Sequence, residues 1–119
     1  LAREILEKAL AAEWSSRLVA LYGELPGGLD AAARAEEARL RIERGERWLL
    51  DHDRDPDLLA MLGRLCAQAE LWGKAKSFLE ASLSFEETRN ARLELARLEE
   101  RLGKADEAQR HYRRAAELP

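Results

Sequence analysis

The sequence predicts an all-α fold, a stack of about three helical hairpins with six helices in all. Three observations lead there. Residues that strands favour are scarce, with one Val (Val19), two Ile (Ile5, Ile42) and one Thr (Thr88), while Ala, Leu, Glu and Arg abound. Apolar residues recur at steps of three and four between short breaks rich in Gly, Pro and Asp. A two-helix segment also repeats itself at an offset of 33 residues, with Leu62 aligned to Leu95.

Leu6, Leu10, Trp14, Leu18, Leu21 and Tyr22 form one apolar stripe, which predicts a single long first helix. "GELPGG" (Gly23 to Gly28) ends it, since Pro26 cannot continue a helical ladder. Asp30 suits the N-cap of the second helix, whose inner face reads Ala35, Ala38, Ile42, Gly45 and Leu49. "DHDRDPD" (Asp51 to Asp57) is the next break, with Asp55 as N-cap and Pro56 in the first turn. A third helix carries Leu58, Leu59, Leu62, Gly63, Leu65 and Cys66. A turn at Glu70 leads to the fourth, with Ala75, Leu79, Ser82 and Leu83. The fifth holds Leu93, Leu95, Ala96 and Leu98 and stops at Gly103; the sixth holds Ala108, Tyr112, Ala115 and Ala116. Such short connections make neighbouring helices antiparallel, giving hairpins over about 1–52, 56–84 and 87–118 of a single domain.

Within the repeat, Gly63 aligns with Ala96, Arg64 with Arg97, Ala75 with Ala108, Leu79 with Tyr112, and Ser82 with Ala115. Gly45 and Leu49 echo Ala75 and Leu79 upstream. Helix axes approach to about 8–10 Å only when the side chains at the crossing permit it. Gly63 and Ala75 are therefore expected to face one another in one hairpin, as are Ala96 and Ala108 in the next. Ser82 and Ala115 are expected to serve the adjoining unit. A period near 34 made of two helices resembles the tetratricopeptide repeat, which implies a right-handed α-solenoid. Two departures stand out: Glu70 replaces the usual turn glycine, and Glu99 replaces a large apolar residue.

Composition narrows the function classes. The net charge is −3 and no Lys/Arg-rich block occurs, which disfavours nucleic acid as a partner. The single cysteine, Cys66, cannot form an internal disulfide. No apolar run approaches the roughly 20 residues of a membrane helix. The chain opens at Leu1 inside a helical pattern and is expected to be a fragment of a longer protein.

"LVALYGELPGG" (Leu18 to Gly28), "ERWLLDHDRDPDLLAMLGRLC" (Glu46 to Cys66) and "LWGKAKSFLEASL" (Leu71 to Leu83) resemble the C-terminal repeat region of the bacterial HemY family. The resemblance implies a parent protein anchored in the bacterial inner membrane, with this domain on the cytoplasmic side. It also implies an association with late haem biosynthesis and no catalytic step. The expected partner is a protein or peptide segment, with self-association also open.

The groove of such a stack is lined by the first helix of each hairpin. Arg64 and Arg97 fall at matching places there, off the buried stripes, together with Gln68, Asn90 and Arg101. A guanidinium can hold a carboxylate bidentately, so these five are the candidate partner-binding residues; the bland alternative is a solvated arginine paired with a neighbouring Glu. "DHDRD" (Asp51 to Asp55) resembles the start of a calcium loop, but Pro56 stands where that loop needs Gly and Leu62 where it needs Glu. His52, His111, Cys66 and Met61 are the conceivable haem ligands of a rival porphyrin-binding reading. No pair of them has zinc spacing and no C-x-x-C-H occurs, so no metal or cofactor is expected. No nucleophile triad, phosphate loop or dinucleotide fingerprint is present, and no catalytic residue is assigned.

Overall fold

Local capping chemistry sets most of the helix boundaries in the computed structural model, which describes residues 2–119. Seven helices follow one another: α1 (Ala2–Ala12), α2 (Ser16–Glu24), α3 (Ala31–Trp48), α4 (Pro56–Gln68), α5 (Trp72–Phe85), α6 (Arg89–Arg101) and α7 (Ala105–Glu117). No strand occurs among the described residues. Asp30 caps α3 by accepting from the Ala33 N–H at 2.7 Å. Asp55 caps α4 by accepting from Asp57 and Leu58, with Pro56 in the first turn.

The helix count exceeds the expected six because the first long helix is in fact two. Ser15 is extended and its hydroxyl accepts from the Leu18 N–H, opening α2 anew. The break lets Trp14 Nε1 and Ser16 Oγ both donate to Asp55 Oδ2, at 2.9 and 2.8 Å. One carboxylate thus caps α4 and anchors the α1–α2 joint. α1 turns aside and is held by Leu10, by Glu7, which accepts from the Tyr22 hydroxyl at 2.7 Å, and by an Arg3–Glu37 ion pair of 3.0 Å. The expected first hairpin over 1–52 is therefore three helices. Of these, α2 and α3 lie mainly against α4, with little mutual contact.

α4 is the centre of the molecule: every residue from Leu58 to Gly63 is buried, as are Leu65 and Cys66. Three glycines bring other helices onto it. A methyl group on Gly63 would lie 2.5 Å from Leu79 Cγ and 3.3 Å from the Ala75 carbonyl oxygen, at the crossing of α4 and α5. At Gly45 of α3 it would meet Leu62 Cδ2 at 2.6 Å, and at Gly23 of α2 it would meet Met61 Cγ at 2.6 Å. Gly23 is thus a packing residue inside α2, not the start of the break. Ala75, Ala96, Ala108 and Ala115 are all buried. Ser82 is buried too, but its hydroxyl donates to the Pro56 carbonyl at 2.8 Å, within its own hairpin and not toward the adjoining unit. An antiparallel α5 ends where α4 begins, and that proximity decides the partner. α6 packs on both α4 and α5, and α7 packs on α6. The first turns of α3, including Ala35, stand exposed and do not form the expected inner face.

The two aligned turns have the same geometry. Leu71 N–H bonds Cys66 O and Glu70 N–H bonds Ala67 O; Lys104 and Gly103 repeat this with Glu99 and Glu100. Both turns need a left-handed residue, at φ 78° for Gly103 and φ 61° for Glu70. Glu70 carries a Cβ into a region that disfavours it.

Gly63→Leu is expected to destabilise the protein by about 1–3 kcal/mol, because fully buried Leu79 has nowhere to move; urea denaturation measures this, and an unchanged midpoint would contradict the packing. Glu70→Gly should act the other way, stabilising by about 0.5–1 kcal/mol, readable as a higher melting temperature.

Candidate functional site

The hairpin turns and the α2–α3 connection together wall a groove on one side of α4. One hollow there has a volume of about 620 Å³ and is walled by Glu24–Gly27, by Arg34, Glu37 and Arg41 of α3, by Arg64 and Gln68 of α4, by Glu70 of the following turn, and by Arg101 of α6. An adjoining hollow of about 360 Å³ shares Arg64, Gln68 and Arg101 and adds Glu94 and Arg97. Asn90 lies beside Arg64 in a smaller cleft next to Gly23 and Met61. Each of the five residues singled out from the sequence therefore lines at least one of three hollows that have Arg64 in common.

The four arginines of the first hollow differ in how far they are already used. Arg41 is almost fully buried and spent on structure. It donates to the Leu25 and Pro26 carbonyls at 2.8 Å each and to Glu37 at 3.2 Å, so it shapes the wall. Arg101 lies 4.8 Å over the Trp72 ring and donates to the Ala67 carbonyl at 3.3 Å. Arg34 is exposed and touches only the Leu29 carbonyl, at 3.5 Å. Arg64 has a buried Nε with no hydrogen-bond partner, and its Nη1 is 3.6 Å from Glu94, an ion pair too long for a hydrogen bond. The same Glu94 oxygen accepts from Arg97 at 2.8 Å. Arg64, Arg101 and Arg34 line the hollow with guanidinium N–H groups not fully taken up by the protein, and Arg97 is hydrogen-bonded to Glu94 beside it.

Sequence reasoning missed Arg34 and Arg41. Neither belongs to the repeat, and nothing local distinguishes an arginine that will bond carbonyls 15 and 16 residues upstream.

No model of a known protein family matches the chain, and no curated protein sequence is significantly similar to it.

The haem-ligand candidates do not assemble. The His52 ring stacks on Trp14 at 3.7 Å, nearly parallel. His111 Nδ1 lies 3.0 Å from Arg92 Nη1, and burial with that guanidinium lowers its pKa. Met61 and Cys66 are core residues, and burial pushes the Cys66 thiol up to about 11, far from a thiolate ligand. None of the hollows described above brings two of the four together. No helix among the described residues is long and apolar enough to cross a membrane.

A second polar feature lies away from the groove. Glu99 aligns with Cys66 in the repeat and, like it, is fully buried. Neither carboxylate oxygen has a hydrogen-bond donor, and Lys76 Nζ is 3.9 Å away. Burial raises the Glu99 pKa, and the neighbouring Glu107 carboxylate reinforces this by accepting a bond from the protonated form; Glu107 is lowered in turn.

Above the ordinary carboxylate value of 4.5 the folded state holds a Glu99 proton that the unfolded chain releases, so stability falls as pH rises toward the raised value. Glu99→Met, of similar length, should therefore stabilise by about 1 kcal/mol or more at pH 8, with the gain shrinking toward pH 4.5. Denaturation across that range tests it, and a pH-independent difference would contradict the assignment.

Proposed function

We propose that this protein is a non-catalytic scaffold whose groove binds an extended, carboxylate-bearing segment of a partner protein. One observation carries this reading: a hollow of about 620 Å³ lined by Arg64, Arg101 and Arg34, in which the outer Arg64 Nη groups make no hydrogen bond within the protein, the nearest carboxylate being Glu94 at 3.6 Å. A guanidinium fork matches a carboxylate in geometry and charge, and a site walled by low-dielectric helix surface strengthens the attraction. A net charge of −3 does not oppose this, because recognition follows the local field.

The α4–α5 and α6–α7 hairpins, with their shared turn geometry and small residues at the crossings, support a tetratricopeptide-like right-handed stack as the scaffold. The sequence blocks that resemble the HemY family support placing it in a parent protein of the bacterial inner membrane. There it would face the cytoplasm and serve an assembly of late haem biosynthesis. The partner class follows from the groove and stands apart from that placement.

A fluorescein-labelled, end-blocked peptide of glutamate and glycine should raise its anisotropy on binding, with affinity falling as salt rises. An Arg64→Ala/Arg101→Ala variant should bind it about tenfold or more weakly while keeping its helical circular dichroism. Equal binding by the variant, or no saturable binding by the native protein, would refute the groove.

A further inference from the structure

We propose that Glu94 is a built-in competitor for the groove arginines, so that the site rejects singly charged anions and admits only segments carrying several carboxylates. The inference rests on the groove reading above and adds its selectivity. Glu94 projects from α6 into the seam between Arg64 and Arg97, with its side chain only 9% exposed. One of its oxygens serves both guanidiniums, at 3.6 Å from Arg64 and 2.8 Å from Arg97. Its carboxylate thus stands where the first carboxylate of a ligand would seek its partners.

The two distances are unequal, and that inequality matters. Arg97 is hydrogen-bonded, whereas Arg64 is only electrostatically satisfied and keeps its Nε unpartnered. An incoming carboxylate can gain the Arg64 fork without breaking the Arg97 bond, but it must do so against the repulsion of Glu94. A lone carboxylate meets that opposition with one ion pair. A segment with further carboxylates meets it with Arg101 and Arg34 as well, which line the same hollow. The fold itself does not demand an acid at this place. In the aligned unit the position belongs to Met61, a buried apolar residue.

The test compares native protein, Glu94→Gln and Glu94→Asp. Each is titrated with the glutamate–glycine peptide, with a peptide bearing a single glutamate, and with a glutamine–glycine control. Glu94→Gln keeps an acceptor for Arg97 but removes the charge. It should bind the single-glutamate peptide about tenfold more tightly than native protein does, should tighten less for the multiply charged peptide, and should not change for the control. Glu94→Asp draws the carboxylate back while keeping its charge, should shift affinity in the same direction by less, and serves if Glu94→Gln folds poorly. Native binding to the acidic peptide with no gain in either variant would overturn the competitor role and leave the groove intact. Failure of native protein and both variants to bind any acidic peptide would overturn the groove and the competitor together.

Discussion

Close approach to α4 is the constraint on which the rest depends. Three helices reach α4 at places where a glycine removes the Cβ, namely Gly23, Gly45 and its own Gly63, and at each a methyl group would intrude on a buried side chain. Leu62, Met61 and Leu79, all buried, fill the spaces so made and give a dense centre. The same arrangement positions the groove. Arg64 follows Gly63 directly and so points about 100° away from the α4–α5 crossing, into the hollow that the α2–α3 connection also lines because α2 and α3 both sit on α4.

Buried and half-buried polar groups divide into those that hold the fold and those that do not. Asp55 and Arg41 belong to the first kind. Each has several partners, and each ties a loop to a helix far away in sequence. Such fully satisfied groups rigidify a small domain. Glu99 is the second kind, a carboxyl in a core position with no donor, which burial and the neighbouring Glu107 carboxylate bias toward the protonated form. Glu94 is intermediate. It is well buried and partnered, but both of its partners are arginines that line the groove.

In the proposed reading, the arginine-lined side of the molecule and its acidic neighbours act as a selective surface and not as a simple basic patch. Glu37 engages Arg41, Glu94 bonds Arg97 and pairs at longer range with Arg64, and Arg101 and Arg34 line the same hollow as Arg64. Affinity from such a surface is modest per contact, and specificity arises from the spacing of the charges that can be met at once.

What the sequence determined by itself is what short-range chemistry decides. The all-helical class, the caps at Asp30 and Asp55, the paired turns at Glu70 and Gly103, and the small residues of the repeat were all legible, because each depends on residues within a turn or two of itself. The convergence of Arg64, Gln68, Asn90, Arg97 and Arg101 on neighbouring hollows was legible too, because helical periodicity and the 33-residue offset place them. Only the tertiary structure decided that the first helix breaks at Ser15, since the partner that rewards the break, Asp55, lies about 40 residues away. It alone decided that Arg41 is consumed by a loop, that Glu94 sits between two arginines and that Glu99 is sealed from water. Burial and pairing across elements are properties of which surfaces meet, and no local pattern in the chain encodes them.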